Sequence, residues 1–251
     1  MGDRVELSAE CDSITEIYPR SCSFVRPAVA NINQMIVVIS TVYPKVDLHF
    51  IDTLLFGIET RGIDAAVCIN KSDLDEDGSI SEVFDIYTKA GYKTIITSAK
   101  EGRGKEELYA LLKDRITAFA GNSGVGKSSL LNLIGDDLNL KTGTLSEKTE
   151  KGRHTTRHTE LLPLPCGGYV LDTPGFGKLD LPPMTADEAE KYFPEFAPYR
   201  ENCKFTGCSH TSERGCAVLE AAERGEIAQS RMESYIDFYN KLKEYKKWQL
   251  K

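Results

Sequence analysis

Nowhere in the 251 residues does an apolar run approach the roughly 20 residues that a membrane-spanning helix needs. The opening stretch, MGDRVELSAE, carries neither the basic nor the apolar segment of a secretory signal. The expectation is a cytoplasmic protein with no membrane partner. Cysteine is sparse: there are seven, an odd number, and three of them (Cys203, Cys208 and Cys216) fall within 14 residues beside a histidine. That distribution disfavours a disulfide framework and favours a metal site in a reducing compartment. Excess positive charge is also missing. The 31 Lys and Arg against 38 Asp and Glu leave a formal charge of −7, which argues against a surface that clings everywhere to nucleic acid and leaves room for a local basic face. The lysines of KLKEYKKWQLK (Lys241, Lys243, Lys246, Lys247 and Lys251) read as a solvated helix end that suits the helix dipole. Internal repeats and low-complexity linkers are absent as well.

What is present is a chain 41% hydrophobic and 27% charged, enough for one sizeable core or two smaller ones. From about residue 35, short apolar runs alternate with amphipathic stretches: MIVVIS, a helix near 47–62, AAVCIN, a helix near 79–91, TIIT, a helix near 104–114, ITAFAG, then the helix GKSSLLNLIG. Strand-like runs separated by helices of this length imply parallel strands with crossover helices, hence a three-layer α/β domain over residues 29–183. Residues 1–28, with DRVEL and SITEIYP, read as two short strands outside that rhythm. Residues 184–251 read as a mainly helical unit, with helices at TADEAEKYF and SRMESYIDFYNKLKEYKKW and a cysteine-rich loop between them.

GNSGVGKSS satisfies the phosphate-loop pattern G-x-x-x-x-G-K-[ST] at Gly121, Gly126, Lys127 and Ser128, between a strand and a helix. Glycines let the backbone curl so that the N–H groups of Asn122, Ser123, Gly124, Val125 and their neighbours through Ser129 point at phosphate oxygens, helped by the positive end of the helix. In this pattern Lys127 bridges the β and γ phosphates and the Ser128 hydroxyl ligates Mg²⁺. DTPG follows the strand GYVL, placing Asp172 to hold the magnesium shell through water and the Gly175 N–H to meet the γ-phosphate. The polar stretch TEKGRHTTRHTE between them offers Thr155 or Thr156 to complete the Mg²⁺ coordination.

Two further loops fit a purine base. In NKSD, the Asp73 carboxylate can accept from guanine N1–H and N2–H₂, Asn70 can reach the other edge and Lys71 can pack along the ring; adenine offers no such donor pair. In TSAK (Thr97, Ser98, Ala99 and Lys100), the Ala99 N–H can meet guanine O6. Both loops follow strands, where ligands bind in open α/β sheets. The elements of a guanine-nucleotide site thus run NKSD, TSAK, phosphate loop, threonine loop, DTPG, whereas an ordinary GTPase begins with the phosphate loop. The chain reads as circularly permuted, a change that costs little when the new break falls in a surface loop. The permutation wires the segment after DTPG directly to the C-terminal unit through GFGKLDLPP, which predicts that nucleotide state reaches that unit.

Where many GTPases carry a water-orienting glutamine after D-x-x-G, this chain has Phe176, which cannot polarise water. Slow intrinsic hydrolysis is expected, with His154 the candidate catalytic group within the chain. The C-x4-C-x-H-x5-C spacing of Cys203, Cys208, His210 and Cys216 suits a closed tetrahedral Zn²⁺ site of the structural type.

With NKSD, TSAK, GNSGVGKSS, GRHTT, DTPGF and the cysteine loop in that order, the sequence closely resembles the bacterial circularly permuted GTPases of small ribosomal subunit biogenesis. The stretch VRPAVANINQ at residues 25–34 is similar to the family's lead-in to its GTPase domain. The resemblance implies an N-terminal OB fold that binds RNA, a permuted GTPase domain and a C-terminal zinc domain. It further implies GTP hydrolysis stimulated by the small subunit, late in that subunit's maturation; since docking on a ribosomal subunit needs no symmetry, a monomer is expected. Family members usually carry a fuller five-stranded barrel, and the 28 or so residues here leave room for about two of its strands. The competing expectation is a nucleotide-gated ribosome- or RNA-binding module with negligible hydrolysis; an ATPase is disfavoured by Asn70 and Asp73.

Overall fold

The computed structural model describes residues 1–24, 28–135, 160–172 and 184–244. At the N-terminus β1 (Val5–Leu7) and β2 (Ile14–Ile17) form an antiparallel hairpin with Val5 opposite Ile17. These are the two strands expected there, and their apolar side chains are exposed. A smaller ribbon pairs β3 (Ser23–Phe24) with β4 (Val29–Ala30), and Phe24 and Val29 enter the core of the following sheet. Strands on either side of residue 28 thus pair with each other.

The central domain runs β5 (Gln34–Ile39), α1 (Leu48–Glu59), β6 (Asp64–Ile69), α2 (Ser79–Lys89), β7 (Lys93–Ile96), α3 (Lys105–Leu112), β8 (Ile116–Ala120), α4 (Lys127–Gly135), β9 (Glu160–Pro163) and β10 (Tyr169–Asp172). The strands form one six-stranded sheet in the order β7-β6-β5-β8-β10-β9, parallel except for β9. Every strand and helix expected in this domain from the apolar pattern is present. The addition is the edge strand β9, whose short ELLP run has too little alternation to declare itself. Along β5 the strand period divides the core: Met35, Val37 and Ile39 face α1 and α2, while Ile36 and Val38 face α3 and α4. The chain steps outward from β5 to β6 and β7, then returns to β8 on the other flank of β5. That reversal puts the loops after β5, β6, β7 and β8 along one edge of the sheet, where crevices form in such folds.

After residue 183 the backbone winds through short 3₁₀ segments at Ala186–Tyr192, Pro194–Phe196 and Arg200–Asn202, then α5 (Ala217–Glu223) and α6 (Gln229–Glu244). TADEAEKYF, expected as an α-helix, is the first of these 3₁₀ segments, started by a reciprocal cap between Thr185 and Glu188. Pro194 and the need to turn both Phe193 and Phe196 inward stop it from continuing as an α-helix. The unit's core is aromatic and includes Phe56 of α1, whose ring centroid lies 5.2 Å from that of Phe238.

A buried ion cluster joins the two units. Arg231 of α6 donates from Nε to Glu195 at 2.6 Å and from Nη1 to Asp52 of α1 at 2.8 Å, and Tyr87 donates to the same Asp52 oxygen at 3.2 Å. The guanidinium carbon lies 4.6 Å from the Phe193 ring centroid. Burial alone would make Arg231 easier to deprotonate, but Glu195 and Asp52 outweigh it and raise its pKa well above the ordinary value. Deleting one member would strand charge in the interior, a loss of about 3–5 kcal/mol.

Candidate nucleotide site and metal centre

Three of the sequence-predicted loops meet at one edge of the sheet. The phosphate loop connects β8 to α4, Asn70–Asp73 follows β6 and Thr97–Lys100 follows β7. Asn70 is the tie between them. Its side chain is buried, donating from Nδ2 to the Val125 carbonyl at 2.9 Å and accepting at Oδ1 from Thr97 Oγ1 and the Ala99 N–H, both at 3.1 Å. One Nδ2 hydrogen is left for a base edge. The Ala99 N–H, expected against guanine O6, points instead at Asn70, so a base would have to exchange that bond.

The two motif glycines have steric reasons to be glycine. Gly121 has φ +132° and a Cβ there would stand 2.2 Å from the Val38 carbonyl; Gly126 has φ +101° and its Cβ would stand 2.2 Å from Asn70 Nδ2. Neither position accepts a side chain without moving a neighbour that the site needs. Between them Ser123 and Gly124 are exposed, Asn122 is half-buried and Val125 is buried; Ser128 and Ser129 are exposed on the first turn of α4. Lys127 Nζ donates to the carbonyls of Gly121 and Asn122, each at 2.7 Å, so the ammonium sits across the loop, and burial lowers its pKa. An ammonium has three donors, and one remains for a phosphate oxygen.

Asp73 is oriented by Ser98, whose hydroxyl donates to Oδ1 at 2.6 Å, while Lys100 Nζ lies 3.8 Å from Oδ2. The Ser98 hydrogen bond is the main cause that holds the Asp73 carboxyl below its ordinary pKa. Ser98 is in turn fixed by a two-bond backbone bridge to Arg103. Lys71 adopts the left-handed conformation, φ 67°, and reaches to the Tyr43 carbonyl. Asp172 closes β10, which pairs with the phosphate-loop strand β8. His154, Thr155, Thr156, Gly175 and Phe176 lie outside the described residues. The tie through Thr97 Oγ1 and the Lys71 contact with Tyr43 carry no sequence reading. The first was within reach, since Thr97 opens TSAK, whereas nothing in the sequence marks Tyr43.

The second centre lies in the C-terminal unit. One ligand atom each from Cys203, Cys208, His210 and Cys216 falls within 4.8 Å of every other. The two sulfurs of Cys203 and Cys216 are 3.8 Å apart, and His210 Nδ1 lies 3.5 Å and 3.3 Å from them. A tetrahedral ion with bonds of about 2.3 Å to sulfur and about 2.0 Å to nitrogen sets ligand separations of this size, so the set fits a closed zinc site. The other ring nitrogen of His210, Nε2, faces Glu190 Oε2 at 2.6 Å, which fixes the ring with Nδ1 toward the sulfurs. Burial, reinforced by the neighbouring sulfurs, pushes the Cys208 thiol up to about 12; a divalent cation would reverse that preference. His210 itself sits at φ 53°. The loop around it is folded by Glu213, which accepts from the hydroxyl and N–H of Ser209 and from the N–H groups of Thr211 and Ser212. Burial would raise the Glu213 carboxyl, but these hydrogen bonds bring it down to about 2. Neither Glu190 nor Glu213 carried a sequence signal.

Residues 17–182 match the family model described as RsgA GTPase. The chain belongs to the RsgA GTPase family. A relative from Ruminiclostridium cellulolyticum named small ribosomal subunit biogenesis GTPase RsgA is 45% identical over 248 residues, covering 97% of this chain and 81% of that protein. Among solved structures, YjeQ from Thermotoga maritima superposes with a TM-score of 0.81 at 39% identity, covering 98% of this chain and 84% of the other. YloQ, described as a circularly permuted GTPase, gives the same TM-score at 35% identity, over 98% of this chain and 81% of its own. The RsgA-type arrangement thus accounts for the phosphate loop coming after the base-reading loops. No helix among the described residues is long and apolar enough to cross a membrane.

Proposed function

We propose that this chain hydrolyses GTP to GDP and phosphate during late maturation of the small ribosomal subunit, and that docking on the subunit stimulates the reaction. The observation that carries the reading is Asn70. One buried amide holds the base-reading loops and the phosphate loop together, which makes one continuous site for base and phosphates. In that site Asp73, held by Ser98, reads the guanine edge. The N–H groups of residues 121–129 and the N-terminus of α4 cradle the phosphates, with Lys127 on the β and γ groups. The exposed Ser128 hydroxyl, with Asp172 and Thr155 or Thr156, offers the hard oxygen donors that suit Mg²⁺, which would neutralise phosphate charge as water attacks the γ-phosphorus and the bridging oxygen leaves with GDP. Phe176 cannot orient that water and His154 is the group in the chain for it, so most of the rate is left to the docked complex. Relatives named for small-subunit biogenesis support that partner. Cys203, Cys208, His210 and Cys216 would hold one structural Zn²⁺ with no open position for chemistry. The setting is the cytoplasm, and the docking species is a monomer.

The nucleotide assignment is tested by equilibrium titration with GTP, GDP and ATP in the presence of Mg²⁺. The expected order has both guanine nucleotides at least a hundredfold tighter than ATP, since an adenine edge leaves the Asp73 carboxylate unpaired. Equal affinity for GTP and ATP would contradict it.

A further inference from the structure

Tyr43 belongs to none of the nucleotide motifs, yet it lies on the loop that leaves β5 at the same edge of the sheet as Asn70 and the phosphate loop. Its carbonyl accepts Lys71 Nζ at 2.7 Å, and its ring centroid lies 5.6 Å from the same nitrogen. The other end of Lys71 is fixed too. Its backbone is held at φ 67° and ψ 36°, immediately after the buried Asn70. The side chain is thus tied at both ends, at its backbone and at its ammonium. The loop that carries Tyr43 is itself braced: the N–H groups of Val42 and Tyr43 point to Ser40 Oγ at 3.4 and 3.3 Å, and Pro44 lies 3.9 Å from where a Cβ on Gly124 would stand. The Tyr43 side chain is otherwise 74% exposed, so the ammonium is the main partner of its ring.

We propose that Tyr43 is a positioning residue of the guanine site, tethering the Lys71 ammonium so that the stem forms a ready-made rail for one face of the purine ring. The proposal rests on the nucleotide reading given above. A free lysine side chain loses rotamer freedom when it packs against a ligand, whereas one already tethered at its ammonium loses less, and the difference appears in affinity. The ring flanks the ammonium, 5.6 Å from centroid to nitrogen, and adds a cation–π contact beside the hydrogen bond to the carbonyl. The hydroxyl plays no part in this arrangement.

The test follows dissociation of a fluorescent GDP analogue by stopped flow. Tyr43→Ala should speed release about two- to fivefold, the scale of an exposed cation–π contact, and Tyr43→Phe should restore the wild-type rate. In a Lys71→Met background, Tyr43→Ala should add almost nothing, because the group it holds is gone. An unchanged rate in Tyr43→Ala, failure of Phe to rescue, or an equal effect in the Lys71→Met background would each overturn the proposal. A wild-type protein with no preference for GDP over ADP would overturn the nucleotide reading instead, and the two failures are told apart by that single control.

Discussion

Asp73→Asn is expected to turn a GTP site into one that favours xanthine nucleotides. The Asp73 carboxylate, steadied by the Ser98 hydroxyl at 2.6 Å and held ionised by it, presents only acceptors, and guanine N1–H with N2–H₂ presents only donors. Asparagine replaces one acceptor with a donor. Facing guanine, that donor meets the N2 amino group and both are left unpaired in a partly enclosed site. Facing xanthine, the same donor meets the O2 carbonyl while the remaining amide oxygen takes N1–H. Sites built around a substrate's hydrogen-bonding group reject the mismatched analogue by about 10⁴-fold. The variant should lose GTP affinity by about that factor and recover most of it toward xanthosine triphosphate, measured by competition titration of both nucleotides. Ser98 stays bonded to the amide oxygen, so the fold is not at stake. Unchanged GTP affinity would remove Asp73 from the base site.

Removal of the metal is expected to melt the C-terminal unit while leaving the nucleotide domain folded. Cys216 leads into α5, and the His210 ring packs edge-on against Phe196 with centroids 5.9 Å apart, so the ligands are built into the aromatic core. Structural zinc contributes about 10–16 kcal/mol of apparent binding free energy at neutral pH, comparable with the stability of a whole domain. A chelator, or Cys216→Ala, should therefore abolish slow hydrogen exchange in α5 and α6. The nucleotide domain has its own two cores on either face of the sheet, and GDP binding should persist. Protection of α5 and α6 that survives confirmed loss of the metal would show that the aromatic core holds the unit together alone.

The sequence exposed what local chemistry announces. Glycines that must accept positive φ, lysine and serine at fixed offsets from them, and three cysteines with a histidine on one 14-residue loop each carry their reason locally; the glycines do hold positive φ, and the four sulfur and nitrogen atoms lie within 4.8 Å of one another. The alternation of apolar strands and amphipathic helices likewise gave the layered sheet and, from the order of the loops, its permutation. What stayed hidden depends on partners far along the chain. Asp52 and Arg231 are 179 residues apart, and nothing near either shows that they will share a buried contact. Glu190 meets His210 across 20 residues of irregular backbone. The type of Asn70 suits a base ligand, but the geometry makes it first a tie between loops. The acidic start of TADEAEKYF suits an ordinary helix, but Phe193 at its end and Phe196 beyond it both turn into one core.

Docking on the small ribosomal subunit is expected to complete a guanine-nucleotide site that hydrolyses slowly alone. It is tested most directly by multiple-turnover phosphate release from GTP by this chain, with and without purified small subunits, at low and moderate salt. Release should be slow alone and stimulated at least tenfold by subunits, with the stimulation declining as salt screens the contact between protein and RNA. Tight GTP binding without any stimulation would contradict it and identify the chain as a nucleotide-gated binding module.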